Sequence, residues 1–463
     1  ARRGPRPAPR RVSGTIIIIE FDAMNKLRAP LIDKRYKVTF VLITILFALW
    51  GFANDITNPM VAAFQTVMEI SATKASMVQF AFYGGYATMA IPAALFIRRY
   101  SFKKGIILGL ALYALGAFLF IPAAQWQMFS FFCISLYILT FGPPFPAPPA
   151  NPFILSLGAR ETATRRLNFS QSFNPMGSLM GMFVASQIVL PNLISDKRDA
   201  AGQIIFGTLS EAEKAQIRLH DLVVIRDPYV AIGLIVLVML VIIALTKMPN
   251  VDHSGPKVRS REKLGLHTPP PDPPRLWANK RYRFGVVSQV FYVAAQIMVW
   301  TFIIQYADNL GISKATAQNY NICAMCMFLG FRFLGTYSMK WIPAPRLLAV
   351  FGILASLCII GAISIVGFGG LVCLVATSAF MSIMFPSIYG IALENVEERD
   401  ASLGAAFLVM AIVGGALMPP LQGMIIDMKT IAAMPAVNVS FVLPLVCFIV
   451  VSIFGFYTSA RRS

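Results

Sequence analysis

Runs of roughly 20 apolar residues recur along this chain, each long enough to cross about 30 Å of hydrocarbon as a helix. A backbone in lipid must satisfy its own hydrogen bonds, so a chain built from such runs folds as a helical bundle within a membrane. Twelve are drawn: Phe40 to Phe64, Ser76 to Ile97, Gly105 to Ala123, Phe129 to Leu157, Asn168 to Leu190 and Tyr229 to Leu245, then Tyr282 to Ala307, Ala315 to Met339, Leu347 to Ile365, Gly370 to Leu393, Ser402 to Ile426 and Val439 to Phe456. Only 13% of the residues are charged, about half the share usual in a soluble globule.

The chain carries 40 Lys and Arg against 21 Asp and Glu, a balance that in a soluble protein would suggest nucleic acid. Here the location of the charge excludes that partner. Lys34, Arg35 and Lys37, then Arg98, Arg99, Lys103 and Lys104, then Arg160, Arg165 and Arg166 fall in alternate connectors. The alternation continues through Lys247 to Arg283, Lys340 with Arg346, and Arg461 with Arg462, as the positive-inside rule requires. Both termini are therefore expected in the cytoplasm, and the chain in the plasma (inner) membrane. The acidic connector Glu394 to Asp400 is the exception, and acids weigh little in this rule. Residues 1–35 read as a basic, disordered segment that is neither signal peptide nor span.

The segment 249–281, with Pro269-Pro-Pro-Asp-Pro-Pro274 at its centre, cannot form a buried element. It separates a six-helix half at 36–248 from another at 282–458, followed by a tail at 459–463. Arg98 and Lys104 match Lys340 and Arg346 at an offset of 242 residues. The same offset lays Trp50-Gly-Phe-Ala-Asn54 over Tyr292-Val-Ala-Ala-Gln296, an aromatic followed four residues later by an amide on the same helix face. Asn151-Pro152 and Phe385-Pro386 occupy related places in the fourth and tenth spans. Paired halves with polar groups at corresponding depths suit alternating access.

An ionisable group in mid-membrane costs on the order of 3 kcal/mol and needs a reason. Asp55 lies about 22 Å along the first helix from Phe40, among Asn54, Asn58 and Pro59. It shares a face with Asn58, and Pro59 frees a backbone carbonyl; the structural alternative is a capping Asp beside a kink. Asn168, Gln171 and Asn174 form an amide stripe on the fifth span, and Gln289, Gln296, Trp300 and Gln305 lie along the seventh. Amides both donate and accept, as sugar hydroxyls do, and Trp beside amides can cover a sugar face; interhelical hydrogen bonding and an interfacial belt are the alternatives. Arg332, near the end of the eighth span, reads as snorkelling or structurally paired.

The six cysteines all fall in apolar runs, so Cys323-x-x-Cys326 reads as packing rather than metal or redox chemistry. All three histidines sit in connectors, with neither H-E-x-x-H nor a Walker loop. No catalytic residue, metal or cofactor is called for.

Trp50-Gly-Phe-Ala-Asn-Asp-Ile-Thr-Asn-Pro59, Gln79-Phe-Ala-Phe-Tyr-Gly-Gly-Tyr86, Tyr100-Ser-Phe-Lys-Lys-Gly-Ile106, Ala150-Asn-Pro-Phe153, Arg166-Leu-Asn-Phe-Ser-Gln-Ser-Phe-Asn174 and Ser378-Ala-Phe-Met-Ser382 resemble motifs of the fucose/glucose/galactose:proton symporter family of the major facilitator superfamily. The resemblance covers nearly all of Tyr36 to Tyr457. It implies a rocker-switch sugar symporter with a first-helix aspartate and a fourth-helix glutamate tied to substrate and proton. Asn58 stands at that aspartate position here, with Asp55 one turn earlier where an amide is usual. Ala147 stands at the glutamate position, within Gly142-Pro-Pro-Phe-Pro-Ala-Pro-Pro-Ala150.

Five prolines there, Pro143, Pro144, Pro146, Pro148 and Pro149, cannot sit in a regular helix, so the fourth span is expected to break. Three explanations stand: an unwound segment lining the cavity, a degenerate copy, or an error in the sequence itself.

The expectation is an all-α membrane protein of twelve transmembrane helices in two pseudo-symmetric six-helix halves, a monomeric sugar:proton symporter for L-fucose or a related hexose. Asp55 would carry the proton, and Asn54, Asn58, Gln171, Asn174, Gln296 and Trp300 the sugar. An uncoupled facilitator and a non-transporting receptor are the alternatives.

Overall fold

Several helices begin where the sequence offers a side-chain cap. Ser71, Ser101 and Ser313 accept from the backbone N–H three residues on, Asn279 accepts from Arg281 and Tyr282, and Ser210 forms a capping box with Glu213. The computed structural model describes residues 32–145, 150, 154, 157–158, 166, 169–198, 204–246, 276–339, 341–394, 396, 398–431 and 433–460. Ala147, Pro146, Pro148, Pro149, Asn151-Pro152, Asn168, Lys340, most of the interhalf linker and both chain ends lie outside the described residues.

Twelve labels cover the bundle. In the N-terminal set, α1 spans Lys37–Val67, α2 Met77–Arg99, α3 Phe102–Phe118, α4 Phe129–Leu139, α5 Phe173–Val184 and α6 Glu211–Leu245. In the C-terminal set, α7 spans Lys280–Asp308, α8 Lys314–Ser338, α9 Ala344–Ser364, α10 Phe368–Met381, α11 Gly414–Ile426 and α12 Val442–Ala460. A helical turn at Ala72–Ala75 precedes α2, a π-turn at Ala185–Val189 extends α5, and Met384–Leu393 resumes α10. Glu398–Met410 and a 3-10 turn at Ala411–Val413 lead into α11. Ten of these stretches are long and apolar enough to cross a membrane. The described part of the fourth span and α8 complete the series, the former too short and the latter too polar to count by the same measure.

One expected break is seen and one expected boundary is corrected. The helix of the fourth span stops at Leu139 and Thr140 to Phe145 turn, as the prolines from Pro143 onward demand; Ala150 and Ile154 are helical, and the rest of 146–156 lies outside the described residues. The sixth helix begins at Glu211 rather than Tyr229, because hydropathy marks only its membrane-embedded part. Its 35 residues measure about 52 Å, so about 20 Å stands beyond the hydrocarbon. The cysteines also divide: Cys447 is buried as expected, but Cys323 and Cys326 are exposed on α8.

Packing is closest where side chains are smallest. A Cβ on Gly177 of α5 would stand 1.9 Å from the Ala48 carbonyl of α1, and one on Gly51 of α1 would stand 1.9 Å from the Asn174 carbonyl. Gly181 meets Phe52 in the same way, so α1 and α5 touch backbone to backbone, as small-xxx-small faces permit in membranes. Among the described residues, the sets meet chiefly where α1 faces α7, α2 faces α11 and α5 faces α8. Helix α7 is buried from Tyr292 to Ala307 except at half-buried Gln296, while Leu95, Leu115, Met176, Val238 and Leu357 belong to a belt of exposed apolar side chains.

At the far end of the bundle, where α1 and α7 finish, polar contacts cross between the sets. Asp427, just past α11, accepts from Ala72 N–H at 2.6 Å, Thr73 N–H at 3.0 Å and the Thr73 hydroxyl at 2.5 Å. Gly423 allows this approach, since a Cβ there would stand 2.8 Å from the Ala72 carbonyl. Lys314 pairs with Asp196 at 2.5 Å and with Asp308 at 3.5 Å, and Arg198 pairs with Asp308. Gly311, at φ +79°, makes the tight turn that places Asp308 near Lys314. The loop carrying Asp196 is pinned by buried Asp221, which accepts from Ile194 N–H at 2.9 Å and Ser195 N–H at 2.8 Å. Among the described residues, every ion pair that joins the two sets lies at this end.

Burial raises the pKa of Asp427, but the hydrogen bonds from Thr73 and Ala72 outweigh it and hold the carboxyl below the usual range.

Candidate functional site

The deep carboxylate is where the sequence placed it. Asp55 is 1% exposed, about 27 Å from the start of α1 at 1.5 Å per residue. The i, i+3 spacing brings Asn58 beside it, and Asn58 Nδ2 donates to Asp55 Oδ1 at 3.1 Å. Ser178 of α5 and Asn54 also approach the carboxyl. Tyr83 of α2 donates its hydroxyl to Asn54 Oδ1 at 2.9 Å.

The network continues through residues that the sequence reading passed over. Gln79 Nε2, on α2, donates both to Asn58 Oδ1 at 3.0 Å and to Thr301 Oγ1 of α7 at 2.9 Å. Asp55, Asn58, Gln79 and Thr301 thus form one buried polar line across the seam between the sets. Gln79 opens one of the quoted motifs, so a polar residue in an otherwise apolar run was the available signal. Thr301 gave none, since threonine is common in membrane helices and bonds its own backbone there.

The remaining candidates divide. Gln296 is half-buried in a stretch of α7, from Tyr292 to Ala307, whose other residues are all buried. Its repeat counterpart Asn54 is likewise half-buried on α1. The two amides paired by the 242-residue offset therefore share the same partial burial. Trp300 is 4% exposed, donates Nε1–H to Ser378 Oγ of α10 at 3.1 Å and meets Phe328 edge-on at 5.2 Å between centroids. Asn174 Nδ2 donates to the Phe47 carbonyl at 3.1 Å, spending a donor on the α1–α5 contact. Gln171 is exposed just before α5.

Helix α7 carries further buried polarity at both ends. The side-chain amides of Gln289 and Gln305 are buried without hydrogen-bond partners among the described residues. On α8, Asn321 Nδ2 donates to the Trp300 carbonyl at 3.1 Å and to Gln318 Oε1 at 3.4 Å. Arg332 is exposed on the same helix. Among the described residues, the centre of the bundle therefore holds one carboxylate among amides, hydroxyls and aromatic rings, a set that can hydrogen-bond a neutral polyol and hold one proton.

Residues 41–419 match the model of the Major Facilitator Superfamily. The chain is 60% identical over 430 residues to the L-fucose-proton symporter of Haemophilus influenzae, covering 93% of this chain and 98% of that protein. It is 33% identical over 432 residues to the L-fucose-proton symporter of Escherichia coli K12, covering 92% and 94%. A crystal structure of the E. coli fucose:proton symporter superposes with a TM-score of 0.63 at 30% identity, covering 92% of this chain and 99% of that one. The chain belongs to the fucose/glucose/galactose:proton symporter family of the Major Facilitator Superfamily.

Proposed function

We propose that the protein imports a monosaccharide, L-fucose or a related hexose, together with a proton by alternating access. The observation that carries this reading is the buried Asp55 carboxylate, held by amides on α1 and linked through Gln79 to α7. Its surroundings are neutral polar groups suited to sugar hydroxyls. Asp55 takes the proton, and Asn54 and Gln296, the half-buried amides of the repeat, take the sugar first, with Asn58, Asn174, Gln171 and Trp300 shaping the site. The relatives named as L-fucose-proton symporters support this choice of substrate.

The two halves are 36–248 and 282–458, joined by a cytoplasmic linker at 249–281, with both termini in the cytoplasm. On that orientation the far end is the periplasmic face, and the bundle is closed toward the outside. Purified protein in proteoliposomes tests the reading: the parent accumulates labelled L-fucose under an imposed inward proton gradient, and Asp55→Asn loses accumulation. An Asp55→Asn variant that still responds fully to the gradient sinks it.

One sequence observation favours a second reading. Gly142 to Ala150 offers no carboxylate where the family's fourth-helix glutamate is expected. A facilitator would show counterflow in the parent protein without proton-driven accumulation.

A further inference from the structure

Asp55, Asn58, Gln79 and Thr301 are each at most 1% exposed and connected in sequence by 3.1, 3.0 and 2.9 Å contacts. The direction of this line follows from chemistry. An ionised carboxylate only accepts, so Asn58 must turn its NH2 toward Asp55 and its carbonyl toward Gln79. Gln79 must then present its own NH2, which also serves Thr301 across the seam. Thr301 is an acceptor in this arrangement. Gln79 Oε1 is buried and has no partner among the described residues.

We propose that Gln79 is a positioning residue that relays the protonation state of Asp55 to the seam between the two helix sets. The inference rests on Asp55 being the proton site. A protonated Asp55 donates, and the line can then reverse: Asp55 gives its hydrogen bond to the Asn58 carbonyl, and Asn58 presents NH2 to Gln79 Oε1. Gln79 then offers Thr301 its carbonyl, and the Thr301 hydroxyl changes from acceptor to donor. No covalent bond forms or breaks beyond the Asp55 O–H; two amides rotate and one hydroxyl turns. The hydrogen bond between Gln79 of α2 and Thr301 of α7 is therefore made by different atoms in the two protonation states. The strength of the seam depends on the proton through that difference.

Little else can carry the signal. Around Asp55, α2 contributes the titratable Tyr83, whose hydroxyl is committed to Asn54, and α5 contributes Ser178, which does not titrate. From α7 the line is met by Thr301, and among the described residues no charged side chain faces Asp55.

The test compares Gln79→Leu, Thr301→Val, Thr301→Ser and Asp55→Asn in proteoliposomes, reading sugar counterflow and proton-driven accumulation separately. Thr301→Val removes the hydroxyl on the far side of the seam with little change in shape and leaves the Asp55 side intact. We expect Thr301→Val and Gln79→Leu to keep counterflow while accumulation falls about tenfold, within the usual range of site-to-site coupling. Their counterflow should also lose its dependence on pH, and Thr301→Ser should restore both properties. Thr301→Val that accumulates sugar like the parent, or that loses counterflow and accumulation in parallel, overturns the relay. Asp55→Asn separates the two ideas. If it abolishes accumulation while Thr301→Val does not, only the relay fails; if it accumulates normally, the proton-site reading itself fails.

Discussion

Replacing Asp427 by alanine should open the end of the bundle where α1 and α7 finish. The carboxylate accepts three hydrogen bonds from the other helix set, at 2.6, 3.0 and 2.5 Å, two of them from backbone amides at the start of a helical turn. A net contribution near 1 kcal/mol per bond would give about 3 kcal/mol. The site is partly exposed, and in the open state water replaces these partners, so about 2 kcal/mol is the reasonable share. That corresponds to a shift of about 30-fold in the closed-to-open ratio. Spin labels on exposed Thr208, beside α6, and exposed Met428, beyond α11, report the separation of the two sets by pulsed electron resonance. The Asp427→Ala protein should show a longer-distance population absent or minor in the parent, and Asp427→Asn an intermediate one. Identical distance distributions in parent and Asp427→Ala would refute the assignment of this contact as a latch.

The same carboxylate should not make the latch respond to pH between 5 and 8. Its pKa is depressed in the closed state, so its stabilisation is complete above the ordinary carboxylate value near 3.9 and is lost only as pH falls through the lower closed-state value; the label distances should stay constant from pH 8 to 5. Asp221→Ala should cost about 2 to 3 kcal/mol, because it leaves the Ile194 and Ser195 amides without their buried acceptor. Trypsin should then cut faster at Lys197 and Arg198, and an unchanged rate would contradict the pinning role. Gly177→Ala should lower the thermal midpoint by several degrees, since its Cβ would stand 1.9 Å from a backbone carbonyl; Gly330→Ala, with nothing within 4 Å, should not.

The membrane fold was legible because length and hydropathy act together: a run of about 20 apolar residues has few alternatives to a spanning helix. The sixth helix shows where that signal ends. Residues 211–228 are polar, so hydropathy is silent about them, although the Ser210–Glu213 capping box marks the true start. Asp55 and Asn58 could be paired from helical periodicity alone, and the two amides that the repeat aligns, Asn54 and Gln296, are both half-buried. Gln79 and Thr301 could not be placed against them, because which helices meet across the seam is decided by tertiary packing. Asn174 illustrates the converse. Its position in an amide stripe was readable, but its bond to the Phe47 carbonyl depends on how near glycine lets α5 approach α1.

That approach restricts what can move. Helices α1 and α5 meet through Gly51, Gly177 and Gly181 with no layer of side chains between their backbones. Shear between packed helices requires side chains that can change rotamer and slide past one another, and at these three glycines the backbones meet without them. Asp55 and Asn174 must therefore travel as parts of one rigid body. Change around Asp55 is then left to its borders with α2 and α7, where Gln79, Tyr83 and Thr301 approach, so a ligand held chiefly by α1 and α5 would be carried through the cycle without being squeezed.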